Sequence, residues 1–251
     1  MITLSIVSHR QAALVATLLD DIARVASPHV TAIVVTHNVE EPAPTWPESL
    51  APRIVTIANA SPRGFGANHN AAFERSTTPY FAAMNPDLRL IADPFDALLA
   101  PFESCAADAA HVGAAAPTIV AADGTPEDAA RCLITPIELI RRRISRAHRT
   151  PSKNPQWLAG MFMLVSSAAF RAVGGFDERY FMYCEDFDLC ARLRLNGWRF
   201  EVVEKAVVVH AAQRASHRSL RHLTWHIASL LKMWSSSAFW RYRRLLIEER
   251  R

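Results

Sequence analysis

Between Ile2 and Met84 the chain alternates short β-branched, apolar runs with stretches of helical spacing, and this alternation restricts the fold more than any other feature. Ile2–Ser8, residues 30–36, residues 53–57 and Tyr80–Met84 read as strands. Residues 11–26 place Leu14, Val15, Leu18, Leu19 and Ile22 on one helical face. Residues 64–76 open on Gly64-Phe65-Gly66 and continue as a second helix through Ala71, Ala72 and Phe73. Strands alternating with helices predict a largely parallel sheet covered on its faces. Ligands in such sheets sit beyond the carboxyl ends of the strands. The loops after Val7, Thr36, Ile57 and Met84 are therefore expected to line one crevice.

The second half is less regular. Residues 93–106, 168–173 and 185–196 fit helices, the last ended by Gly197, and residues 112–120, 157–166 and 200–209 fit strands. Residues 39–52 contain four prolines and read as a loop. Residues 141–153 hold six basic side chains and read as an exposed helix end and loop. Half of the 251 residues are hydrophobic and 21% are charged, which suits one large α/β domain with an appendage and excludes wholesale disorder. Arg10 interrupts the apolar start too early for a secretory signal, and the longest uncharged run, residues 154–170, is too short to span a bilayer. A cytoplasmic chain is expected, at most peripheral to the inner membrane. The four cysteines form no CxxC pair or zinc spacing and are expected to be reduced.

Four places are candidates for chemistry. In Gly174-Gly175-Phe176-Asp177-Glu178-Arg179-Tyr180-Phe181-Met182-Tyr183-Cys184-Glu185-Asp186-Phe187-Asp188, a glycine pair and aromatics precede three acids at a helix start. Apolar walls raise a carboxylate pKa toward the range useful for a base, whereas acids in a first helical turn also simply favour the dipole. Asp87 follows a strand and Pro86, where it stands either beside a ligand or in an Asx-type turn. His210 closes an apolar strand, as a boundary residue or, facing Asp87, as a partner in holding Mn²⁺ or Mg²⁺. The turn Arg63-Gly64-Phe65-Gly66-Ala67-Asn68 lacks a complete phosphate-loop motif and reads as a nucleotide-side loop or an ordinary tight turn.

Arg63–Asn70, Met84-Asn85-Pro86-Asp87 and the long acidic block, with Gly197-Trp198 and Val209-His210 after it, resemble glycosyltransferase family 2, and within it the rhamnosyltransferase-like branch of O-antigen and surface-polysaccharide synthesis. The resemblance implies a GT-A fold, a three-layer α/β/α sandwich with a mostly parallel mixed sheet, over residues 1–215, and residues 216–251 as a basic, aromatic-rich helical extension. It implies inverting transfer of a sugar, L-rhamnose from dTDP-L-rhamnose in that branch, from a nucleoside diphosphate to a glycan or lipid-linked glycan hydroxyl. Asp186, with Glu185 beside it, matches the general base. Asp87 matches the last acid of a metal-binding Asp-x-Asp, and His210 the histidine completing that divalent metal site (Mn²⁺ or Mg²⁺). Ser8, Asn38, Arg63, Gly64, Phe65, Asn68, Asn85 and Asp87 fall on the nucleotide-sugar side; Trp157, Leu158 and Gly160 fall on the sugar and acceptor pocket. Asp188 is expected to be structural. Asn85 departs from the motif by replacing its first acid, so weak metal binding without donor is expected.

The tail from Ala211 onward holds nine Lys/Arg against two Glu, mixed with Trp225, Trp234, Phe239, Trp240 and Tyr242. Leu220, Leu223, Ile227, Leu230 and Leu231 recur at helical spacing in it. It fits an interfacial membrane helix or a helix packed on the domain. A catalytically silent nucleotide-sugar-binding homologue and a basic nucleic-acid-binding protein are the competing functional readings; the body of the chain holds nothing for nucleic acid.

Overall fold

A computed structural model describes residues 1–103, 111–127, 129–133, 135, 136, 138, 155–211 and 220–249. The basic residues 141–153 lie outside these. An eight-stranded sheet runs in the order β3-β2-β1-β4-β9-β6-β10-β5. The strands are β1 Ile2–Ser8, β2 Val30–His37, β3 Ile54–Ala58, β4 Tyr80–Met84, β5 Leu88–Arg89, β6 Val112–Ala121, β9 Phe162–Ser166 and β10 Arg199–His210. β7 Ala130–Arg131 and β8 Trp157–Leu158 form a separate pair. β1, β2, β3 and β4 are mutually parallel; β9 runs antiparallel between β4 and β6, and β5 antiparallel at the β10 edge.

Side chains alternate across this sheet and build two cores. Leu4, Ile6, Ile33, Ala82 and Met84 join Val15, Leu18, Leu19 and Ile22 of α1 (Ala12–Val25) and Phe95 and Leu98 of α3 (Phe95–Glu103) on one face. Val34, Phe81, Ala83, Met163 and Val165 join Ala72 of α2 (Phe65–Phe73), Phe170 of α4 (Ser167–Ala172) and Leu189 and Leu193 of α5 (Glu185–Leu195) on the other. The result is the helix–sheet–helix sandwich of a GT-A fold. The apolar run at 157–166 is two strands rather than one. Its middle leaves the ladder because Ala159 bonds Ala129, Gly160 bonds a carboxylate, and Met161 O accepts the N–H of Asn85.

The tail also breaks in two, α6 Leu220–Ser235 and α7 Ser237–Glu248, because Ser236 caps a new start and accepts the N–H of Phe239 at 3.2 Å. Met233, Phe239 and Tyr242 are buried with Tyr180, Phe187 and Ala191, so the tail helices rest on α5 and on the segment before it. Among the described residues no helix is long and apolar enough to cross a membrane.

Candidate active site

On the donor side, the carboxyl ends of β1 to β4 come together as the alternation requires. Ser8 ends β1, and its carbonyl takes the N–H of Asn38 just beyond β2 (2.9 Å). The Asn38 side chain accepts from Arg63 N (2.7 Å) and Asn59 Nδ2 (2.9 Å) and donates to Arg63 O (2.9 Å). Asn68 accepts from Asn59 (2.6 Å) and donates to Gly64 O (3.0 Å). Three buried or half-buried amides therefore shape the Arg63–Gly64 turn; Asn38 and Asn68 are turned into the loop itself. A Cβ on Gly64 would stand 2.7 Å from Phe181 O, so only glycine lets this loop approach the segment before α5. The exposed Arg63 guanidinium lies 3.3 Å from Glu178. Phe65 stacks edge-on against His69 (4.4 Å). His69, fully buried and bonded to Ser5 Oγ at 2.8 Å, is pushed down to about 3 by that burial and is neutral.

β5 and β10 bring Asp87 and His210 together across 123 positions of sequence. Leu88 pairs with His210, and Asp87 O accepts the N–H of Ala211. His210 Nε2 then lies 3.1 Å from Asp87 Oδ2, while Nδ1 lies 2.7 Å from Glu127 Oε2. The hydrogen bond and charge of Asp87, helped by Glu127, raise the imidazole to about 9 against the opposing effect of burial. Glu127 was not foreseen. It follows the Asp123-Gly124 turn after β6 and carries no motif of its own. A carboxylate behind a histidine fixes the ring so that its other nitrogen faces a ligand. Asp87 Oδ1 is buried with no hydrogen-bond partner. An orphaned acid oxygen beside an imidazole fits a divalent cation. The two form a pair, not a cage: among the described residues no cluster of three or more ligating side chains is gathered for a metal. Asn85, half-buried, adds an amide and no charge.

On the acceptor side, Asp186 stands in the first turn of α5. Its Oδ2 accepts the Gly160 N–H at 3.0 Å and its Oδ1 the Phe187 N–H at 2.8 Å. Burial raises its pKa, while Arg131 and these N–H groups oppose the rise. Glu185 is 5% exposed, with Oε2 unpartnered; burial and the Asp186 charge push it well above the ordinary carboxylate range. Hydrogen bonds from N–H groups favour the anion at Asp186, so of the two acids Glu185 is the one pushed further toward its neutral form. Asp186 is also partly exposed, as a group that meets substrate must be. Asp188 is buried and paired with Arg192 at 2.7 Å, which ties the helix and leaves it no access. Trp157 lies under Arg131 (5.1 Å) and edge-on to Phe187; Leu158 is fully buried and its N–H meets Cys190 Sγ. Of the three residues expected in the pocket, Gly160 touches Asp186 directly: a Cβ there would stand 3.5 Å from Asp186 Cβ and 3.3 Å from the Phe65 ring.

The two sides meet through backbone. Asn85 bonds Met161, next to the Gly160 that holds Asp186; Ala129 bonds both Glu127 and Ala159. The model of the family described as glycosyltransferase like family 2 matches residues 1–227. The chain belongs to glycosyltransferase family 2. Rhamnosyltransferase WbbL of Escherichia coli is 45% identical over 78 residues, 30% of this chain and 29% of the relative. N-acetylglucosaminyl-diphospho-decaprenol L-rhamnosyltransferase of Mycobacterium tuberculosis is 45% identical over 84 residues, 31% of this chain and 27% of the relative. These matches span under a third of either relative, and they support the rhamnosyltransferase-like branch. Among solved structures, GalNAc-T7 with UDP, GalNAc and Mn²⁺ superimposes with a TM-score of 0.62 at 14% identity, covering 84% of this chain and 43% of that one. The mannosyltransferase PcManGT of Pyrobaculum calidifontis, in complex with GDP-Man and Mn²⁺, gives 0.61 at 16% identity, covering 92% and 64%. At these identities the likeness establishes the fold.

Proposed function

We propose that this glycosyltransferase moves L-rhamnose from dTDP-L-rhamnose, with inversion, to a hydroxyl of a lipid-linked glycan in cell-surface polysaccharide synthesis. The observation that carries the reading is Asp186: a partly exposed carboxylate that accepts hydrogen bonds from two N–H groups and is made more basic by burial, against the glycine packed by Phe65. In the step, the acceptor hydroxyl gives its proton to Asp186 as its oxygen bonds to the anomeric carbon. The bond to the diphosphate oxygen breaks on the opposite side. Asp87 and His210 would hold a divalent cation, Mn²⁺ or Mg²⁺, which supplies positive charge where the leaving diphosphate becomes more negative. The exposed Arg63 guanidinium would meet the donor phosphates, and Trp157 would wall the acceptor side. The names of the two rhamnosyltransferases favour the sugar, and that of the Mycobacterium tuberculosis relative favours a polyprenyl diphosphate acceptor.

We also propose peripheral placement at the cytoplasmic face of the inner membrane, and the outward side of the tail supports it. Leu223, Ile227 and Leu231 share one exposed face of α6, and Arg221, Arg241, Arg243 and Arg244 of the two tail helices are exposed as well. Apolar and cationic groups side by side match an anionic lipid surface. Flotation with anionic vesicles, reduced by salt, is expected; equal recovery of wild type and Leu223→Glu/Ile227→Glu rejects this placement.

The deciding experiment mixes purified protein, Mn²⁺ and a panel of nucleotide sugars, with thermal shift reading donor binding and nucleotide release reading transfer to a prenyl-diphosphate acceptor. dTDP-L-rhamnose should give the largest stabilisation and release. Preference for another donor replaces the rhamnosyl reading. Binding without release in any pairing favours the silent homologue, which the neutral Asn85 and the two-residue ligand set make the runner-up.

A further inference from the structure

The segment from Phe176 to Cys184 links both halves of the site to the tail. Asn70 of α2 accepts the Phe176 N–H and donates to Phe176 O, both at 2.9 Å, and Phe181 O accepts the Phe65 N–H of the donor loop at 2.9 Å. The segment then ends in Tyr183 and Cys184, with φ of 74° and 66°. Among the described residues these are the one pair of adjacent non-glycine positions in the left-handed region, and they immediately precede Glu185 and Asp186. Bulky side chains hold that conformation only where neighbours over-determine it.

The neighbours here belong to α6. Tyr183 Oη lies 2.8 Å from His222 Nδ1, and Ser229 Oγ donates to Met182 O at 2.8 Å. Trp225 stacks on Phe181 at 4.8 Å, His226 stands edge-on to Tyr183 at 4.9 Å, and Lys232 donates to Arg179 O. Successive contacts one helical turn apart bind the whole inward side of α6 to this segment. The direction in which α5 leaves Cys184 fixes where the Asp186 carboxylate points, so whatever holds the two left-handed residues also holds the base.

We propose that α6 is a clamp on the catalytic base, in which the Tyr183–His222 hydrogen bond, backed by Ser229 on Met182, fixes the left-handed pair and thereby aims Asp186. Tyr183 and His222 are positioning residues, and the tail helix belongs to the acceptor half of the site. The proposal rests on the reading of Asp186 as base.

The test compares wild type with Tyr183→Phe, His222→Ala and His222→Asn in the full chain. Tyr183→Phe keeps the ring and removes only the hydroxyl, so it remains informative if His222→Ala fails to fold. Asparagine places Oδ1 near the former Nδ1. Both Tyr183→Phe and His222→Ala should lower kcat by about 10–100-fold, as misplaced reacting groups do, with donor KM unchanged. His222→Asn should recover most of the loss. Amide hydrogen exchange at residues 182–187 should quicken in the first two variants and not in the third. Turnover within twofold of wild type in both, or no change in that exchange, overturns the clamp. The exchange measurement needs no turnover, so an inactive wild type would count against the transfer reading while the clamp is still decided.

Discussion

The donor and acceptor halves handle charge in opposite ways. At Asp87, His210 and Glu127 an imidazolium sits between two carboxylates, 3.1 and 2.7 Å away, and offsets one of their two negative charges. At Glu185 and Asp186 two acids share a buried helix start, and one of them has an oxygen with no hydrogen-bond partner. The first arrangement is poised to exchange a proton for a cation, since a metal takes imidazole only in its neutral form. The second raises carboxylate basicity through desolvation and like charge. Under the proposed function, the first environment suits a group that holds a charged leaving group and the second a group that takes a proton; the fold builds one at the β5–β10 pairing and the other at the start of α5.

The difference is broken most severely at Asp186. Asp186→Asn keeps the size of the side chain but removes the proton acceptor and sets an amide NH2 against one of the two N–H groups, and kcat should fall about 10²–10⁴-fold, the usual worth of general base catalysis. Nucleotide-sugar binding by thermal shift should persist. Near wild-type turnover would remove Asp186 from the role. A change behind the donor half should do less. Glu127→Gln leaves His210 a hydrogen-bond partner but withdraws its charge, and loss of such an outer carboxylate typically costs about 10–100-fold in metal affinity or activity. The measurement is the Mn²⁺ concentration for half-maximal nucleotide release; an unchanged value would mean that Glu127 does not orient the ring.

How much of this was legible in the sequence depends on whether the signal was local. The strands of the first half follow from runs such as Ile2–Ser8, whose alternate side chains enter the core as their apolar pattern requires. Asp87 and His210 were legible as strand-end residues and through the family motif, although only the β5–β10 pairing places them side by side. Glu127 was not legible, because an acid 83 positions before its histidine, after an ordinary turn, looks like any surface acid. Asn38 and Asn68 were expected on the nucleotide side, and the structure bonds both amides to the Arg63–Gly64 turn, which a sequence does not say. The break at Gly160 was hidden because its flanks keep an apolar pattern while its backbone bonds turn to Asp186. The clamp of α6 on Tyr183 was hidden for a related reason: His222 read as one more residue of a basic helix.

The smallest expected effect tests the neutral member of the acid pair through stability. Glu185 has a folded-state pKa raised above its value of about 4.5 in the open chain. A raised group contributes stability that is fully present below the unfolded pKa and is lost as pH rises through the folded pKa. Wild type should therefore lose stability from about pH 4.5 upward on account of this residue. Glu185→Gln cannot ionise and does not share that loss. Its Tm should exceed that of wild type at pH 8 by a few degrees, roughly 2–4 °C for each 1 kcal/mol at this chain length, and the gap should close toward pH 5. A gap of equal size at both pH values would show that packing, not charge, separates the two proteins. It would also leave Asp186 without the neighbour whose neutrality concentrates the negative charge on the base. Should the gap close as expected while Glu185→Gln keeps most of its turnover, the two acids are divided as their surroundings divide them, with one ionised and reachable and the other neutral and enclosed.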